Sequence, residues 1–168
     1  MLLVRHAGTA ATREARLPLD EPADRDLPDV TGWLGRSGSV LTSPARRCQV
    51  PGAVVEPQLG PWDLGCWAGL SLTEIPELPA WRTDPAYAGH GGESALALSA
   101  RVVGLLADWH DHGGRIVAVT HAAVIRAAVL HALGAPVGSA WQLDISPGSL
   151  TELHAAPGGW RVARVNDH

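Results

Sequence analysis

Residues 115–134 read RIVAVTHAAVIRAAVLHALG, and the change of rhythm at His121 decides the fold class. Residues 116–119 form an apolar run that predicts a buried strand ending in Thr120-His121. The following stretch, 122–133, predicts a helix, with Gly134 and Pro136 as stop signals. Upstream, Leu98, Val102, Leu105, Leu106 and Trp109 follow helical spacing. They predict a helix capped by Ser94, running to about His110 and stopped by Gly113-Gly114. At the N-terminus, Leu2-Leu3-Val4 reads as a second buried strand, ending in Arg5-His6. Residues 39–42 and 53–55 are further strand candidates, with Ser43-Pro44 between them as a helix start. Residues 141–145, 150–154 and 160–165 read as three final strands. Turns at Pro147-Gly148 and Pro157-Gly158-Gly159 suggest hairpin connections and hence an antiparallel edge. The stretch 7–36 reads as loop with one short helix near 30–34, and 57–92 as irregular with a short helix after Ser71. Strands alternating with helices predict a three-layer α/β sandwich: a mostly parallel central sheet flanked by helices, with antiparallel edge strands. A single domain over 1–168 is expected.

Composition narrows the function classes. The hydrophobic share is 46% and the charged share 18%, as in a globular chain, with seven Trp and no Phe. The net charge is −4 and no basic run occurs, which argues against nucleic acid. No apolar run approaches the roughly 20 residues a membrane span needs, and the four apolar residues before Arg5 are too few for a signal-peptide core. Two cysteines, Cys48 and Cys66, make no disulfide framework, so reduced thiols and a cytoplasmic protein are expected.

Three strand ends carry the side chains of interest: Arg5-His6, Thr42-Ser43 leading to Arg47, and Thr120-His121. Ligands of open α/β sheets bind outside the carboxyl ends of the strands, where one edge can gather all three. Two arginines and two histidines, with no carboxylate in the immediate motifs, suit an oxyanion such as phosphate. His121 stands at a helix start whose free amides also face an anion. A neutral His6 imidazole can attack phosphorus in line while the cations stabilise the transferring group.

These residues resemble a known family. LLVRHAGT looks like the Arg-His-Gly signature of the histidine phosphatase superfamily, the phosphoglycerate-mutase-like enzymes. TSPARRC is similar to its second signature, and VAVTHAAVIRA to the strand that delivers the second histidine. LGPWDLGCWAG resembles the segment carrying the proton donor, and GHGGES the element before the long helix. Five motifs in family order cover nearly the whole chain. The resemblance implies a phosphomonoester hydrolase working through a phosphohistidine on His6, with no metal and no cofactor. It matches Arg5 and Arg47 to the phosphate-binding arginines, Arg47 being preferred over Arg46 from its spacing to Ser43. His121 matches the second pocket histidine, and Ala122 offers a backbone N–H. Thr12 stands where many members have a phosphate-contacting Asn. Pro61 stands where many have the acidic Glu, and Asp63 is the nearest replacement as proton donor.

Alternatives come from two other classes. A mutase would return the phosphoryl group to its substrate, although such members tend to be longer. A phospho-ligand binding module would have lost turnover with its Glu. The expected partner is a small-molecule phosphomonoester, with a phosphoprotein as the wider possibility; neither nucleic acid nor membrane is expected. Asp63 also has a bland role, bracing the 62–67 loop. Glu93 reads as an ordering group at a helix start. His110 and His112 read as solvated side chains rather than metal ligands. The tryptophans read mostly as core, with Trp62 and Trp67 near a pocket mouth, and Cys48 as a buried apolar residue on the helix after Pro44.

Overall fold

The computed structural model describes residues 1–27, 30–33, 38–112 and 114–168. Its strands are β1 (Leu2–Arg5), β2 (Gly38–Thr42), β3 (Val54–Val55), β4 (Arg115–Thr120), β5 (Leu150–Ala156) and β6 (Gly159–Asp167). They form one sheet in the order β3-β2-β4-β1-β5-β6. The first four run parallel, while β5 and β6 are antiparallel to their neighbours. This is the mostly parallel sheet with an antiparallel edge that the sequence predicts.

Side chains alternate across the sheet with period two. Leu3 and Ala118 face one side, where they pack with apolar residues of α3 (Ala95–His112) and α4 (Ala122–Leu133). Leu2, Val4, Val117 and Val119 face the other side, under Val30 and Cys48. The covers there are two 3-10 turns, Val30–Trp33 and Arg46–Cys48. The predicted extension of the first turn to Leu34, and the stop at Gly113, lie outside the described residues. Ser94 caps α3 by accepting from the Ala97 N–H at 3.1 Å. α4 ends as predicted, with Gly134 left-handed at φ +63° and the Ala135 N–H closing on the Leu130 carbonyl.

Three expectations need correction. No α-helix begins at Ser43-Pro44; only the turn Arg46–Cys48 forms. The Ser43 hydroxyl is instead engaged by the Ala45 N–H and by His121 Nε2, and Ala45 stays extended at ψ 140°. Residues 141–145 are not a strand; a 3-10 helix, Val137–Gln142, is followed by irregular chain. The carbonyls of Leu143 and Ile145 there accept from the Arg126 and Arg5 side chains rather than from a neighbouring strand. Pro147-Gly148 therefore joins no hairpin. Its Gly148 N–H donates to the carbonyls of Arg5 and His6, which seats the turn on the end of β1.

Two short helices form where the sequence reads as loop or irregular: α1 (Ala10–Arg13) and α2 (Leu78–Thr83). Thr9 caps α1 through its side chain. The expected turn after Ser71 is the 3-10 helix Leu72–Glu74, closed by a capping box. Residues 57–92 hold together through a small core of their own, in which Leu64, Trp67, Ile75 and Trp81 are buried with Leu17. Gly65, at φ +49°, lies so close to the backbone of residues 90–92 that a Cβ would collide with the His90 carbonyl oxygen. His110 is partly rather than fully solvated: its Nε2 meets the Ala156 carbonyl at 3.1 Å and its ring packs edge-on to Trp160, while about a third of the side chain (34%) stays exposed.

Candidate active site

Register explains why residues more than a hundred positions apart meet. β1 and β4 are paired so that Arg5 lies opposite Thr120, and the next residue of each strand is a histidine. The pairing continues one step beyond the strands, with the His6 N–H donating to the Thr120 carbonyl at 3.0 Å. The two rings stand edge to face, centroids 5.1 Å apart. β2 flanks β4 on its other side, and the Ser43 N–H donates to the Val119 carbonyl at 2.9 Å, which delivers Arg47 to the same edge.

A cavity of about 390 Å³ opens at this edge, and Arg5, His6, Thr12, Arg47, His121 and Ala122 all line it. The preference for Arg47 over Arg46 agrees with burial: Arg47 is 4% exposed, whereas Arg46 is on the surface. Arg5 donates to the Ile145 carbonyl and Arg47 to the Leu19 carbonyl. Each leaves a buried Nε–H without an acceptor among the described residues. Such donors are costly unless something supplies acceptors, and a tetrahedral oxyanion supplies several.

His6 Nδ1 lies 2.6 Å from the Ala7 carbonyl, a hydrogen bond that puts the proton on Nδ1 and leaves a lone pair on Nε2. Burial, followed by the charges of Arg47 and Arg5, lowers its pKa to about 4, against the upward pull of the Ala7 bond. His121 is pushed well below its ordinary value by burial, then by Arg47 and His6. Both imidazoles are therefore neutral at pH 7. His121 Nε2 is 2.8 Å from Ser43 Oγ, which fixes its ring. Ala122 is the first residue of α4, where amide groups have no intrahelical acceptor. Thr12 Oγ1 is 3.2 Å from Thr9 Oγ1 at the rim.

Asp63 is placed differently. It is exposed, it accepts from the Gly65 N–H at 3.0 Å, and it borders an adjoining groove with Asp20 and Arg47 rather than the cavity of His6. Pro61 borders both. Among the described residues, no Asp or Glu lines the His6 cavity. Glu93 orders this region through a two-point ion pair with Arg101, at 3.0 and 2.9 Å. Arg101 in turn donates to the carbonyls of Gln58 and Gly60.

The family model of the histidine phosphatase superfamily, branch 1, matches residues 1–168. The chain belongs to this superfamily. Solved structures agree on the fold. A mycobacterial glucosyl-3-phosphoglycerate phosphatase superposes with a TM-score of 0.77 at 22% identity, covering 100% of this chain and 98% of that one. The alpha-ribazole phosphatase of Shigella flexneri gives 0.78 at 20% identity, covering 99% and 95%. A phosphoserine phosphatase of Entamoeba histolytica, in complex with phosphoserine, gives 0.80 at 17% identity, covering 98% and 95%. No curated protein is significantly similar to the chain.

Among the side chains of this superfamily member's cavity that sequence reading missed are Arg82, Arg126 and Trp141. Arg126 had a signal, since it is the one arginine in the helix AAVIRAAVLHAL, whose other residues are apolar except His131. Arg82 and Trp141 had none, because they reach the cavity from short helices, Leu78–Thr83 and Val137–Gln142, that carry no strong period.

Proposed function

We propose that the protein hydrolyses phosphomonoesters in two steps through a phosphohistidine on His6. The observation that carries this reading is the unprotonated Nε2 of a neutral His6 beside two guanidinium groups, each with a buried Nε–H that has no acceptor among the described residues. In the first step the Nε2 lone pair attacks phosphorus, the bond to the leaving oxygen breaks, and that oxygen departs with the electron pair. In the second, water attacks phosphorus, the P–N bond breaks, Nε2 regains its lone pair, and the water's proton passes to phosphate or solvent. Arg5 and Arg47 balance the charge of the transferring group, with His121 and the Ala122 N–H as further donors. No step calls on a metal. The three solved neighbours are phosphatases by name, which favours water over a second substrate hydroxyl as acceptor.

Asp63, in the adjoining groove, reaches the leaving oxygen only through solvent. The enzyme therefore favours substrates whose leaving group departs without a positioned acid, such as aryl phosphates. Replacing Pro61 tests this. Pro61→Glu returns a carboxyl to the cavity wall and is expected to raise kcat/KM for an alkyl phosphate by about 10²-fold, the low end of what a positioned general acid supplies. The same change leaves 4-nitrophenyl phosphate within about threefold, because that leaving group needs no proton. Equal effects on both substrates would remove this account of the leaving group. The acid-free wall also favours a second reading, a phospho-ligand binding module. Phosphate or vanadate binding with no turnover of 4-nitrophenyl phosphate would select it. The free thiols of Cys48 and Cys66 fit a reducing, cytoplasmic setting.

A further inference from the structure

The charge on the cavity wall exceeds what one phosphoryl group can use. Five arginines line it: Arg5, Arg16, Arg47, Arg82 and Arg126. Arg16 is already paired with Glu14 at 2.7 Å. A phosphoryl dianion offsets Arg5 and Arg47. Arg82 and Arg126 remain, and neither makes an ion pair among the described residues.

Their placement is specific. The Arg126 guanidinium lies 5.9 Å from the Trp141 ring centroid, and that of Arg82 lies 5.4 Å from the same ring. One indole face attracts a cation, but two cations on one ring repel each other. Arg126 is also half-buried and within the repulsive reach of Arg5, and the one counter-charge that acts on both among the described residues is exposed Asp144, which makes no ion pair with either. A partly desolvated cation such as Arg126 is costly when no ion pair offsets it, whereas Arg82 is exposed and free to meet a ligand. Arg126 Nε donates to the Leu143 carbonyl at 2.7 Å, so its fork is held while the two terminal nitrogens have no acceptor among the described residues. Arg126 follows His121 by five residues of helix, an axial offset of ~7.5 Å, so it stands beyond the phosphoryl position rather than at it. Trp62, Trp81 and Trp141 form the wall there, with centroids 4.7 to 6.0 Å apart.

We infer that the leaving portion of the substrate carries a second anionic group on an apolar body, the anion held by Arg126 and Arg82 at Trp141 and the body seated on the three indoles. This deepens the hydrolase reading and rests on it. The substrate class is a phosphomonoester bearing a carboxylate or second phosphate on a flat, apolar leaving group.

The test uses two aryl esters of matched shape, 4-carboxyphenyl phosphate and 4-carbamoylphenyl phosphate, with wild type, Arg126→Gln, Arg126→Lys and Arg82→Gln. Wild type is expected to favour the carboxylate in kcat/KM by about tenfold or more, the worth of one charge-assisted hydrogen bond. Arg126→Gln and Arg82→Gln are expected to collapse that ratio toward one, mainly through KM, while Arg126→Lys retains part of it. Comparing ratios cancels differences in leaving-group acidity and in general folding damage. If Arg126→Gln fails to fold, exposed Arg82, which has no hydrogen bond among the described residues, carries the test alone. Equal hydrolysis of both esters by wild type, or an unchanged ratio in the variants, overturns the second-anion site and leaves the hydrolase reading intact. Hydrolysis of neither ester overturns the hydrolase reading, and this inference with it.

Discussion

His6→Ala is expected to lower kcat for 4-nitrophenyl phosphate by about 10⁴-fold or more, the scale seen when a covalent nucleophile is removed. The size follows from what the ring supplies. Its Nδ1–H is held by the Ala7 carbonyl, its Nε2 is unprotonated, and its pKa of about 4 keeps it so across the neutral range. Without it, water must attack the bound ester directly, with only the cationic pocket helping. The fold should survive the change. The backbone bond from the His6 N–H to the Thr120 carbonyl is untouched, the ring's one hydrogen bond is local, and no charge is stranded by removing a neutral group. Steady-state rates, with thermal unfolding as a control, check the expectation. Retention of more than a tenth of the wild-type rate by a folded variant contradicts it.

Arg47→Ala carries the second largest effect, about a 10³-fold loss in kcat/KM, at the upper end of what removing one preorganised charge donor costs. Arg47 is buried and clamped by the Leu19 carbonyl, so its fork is already aimed and nothing nearby replaces it. Arg47→Lys should recover little, since a point charge lacks the two-pronged geometry. The same variant has a signature that a merely structural role would not produce. Arg47 is among the causes that lower the pKa of His6, second to burial. Removing that positive neighbour raises the pKa of His6, so the acid limb of kcat/KM moves to higher pH in Arg47→Ala. An acid limb unchanged from wild type, alongside the expected loss of activity, would separate Arg47 from His6.

Much of this site was legible because it depends on strand ends. Arg5-His6 and Thr120-His121 each close an apolar run, and parallel pairing of two such runs places their final residues side by side whatever lies between them. α4 was legible to the residue, since a 3.6-residue period bounded by His121 and Gly134 leaves little freedom. Residues 141–145, WQLDI, were misread as a strand because their alternation of apolar and polar residues suits one. What decides their conformation is tertiary: their carbonyls serve Arg126 and Arg5 from other elements. The same holds for Ser43, whose capping hydroxyl is taken by His121. The far wall of the cavity was illegible for a related reason. Arg82 and Trp141 lie on short helices without a strong period, and the packing of the tryptophan cluster brings them beside the strand ends. Asp63 shows the limit of proximity in sequence: two residues from Pro61, it turns to cap the Gly65 N–H and faces the neighbouring groove.

The most direct measurement is capture of the covalent intermediate. Enzyme mixed with a radiolabelled aryl phosphate and quenched in denaturing base within a single turnover should carry label, stable to base and labile to acid. Peptide mapping should place it on His6, and Arg47→Ala should carry less at equal time. Turnover with no label on the protein, or label on any residue other than His6, would contradict the account.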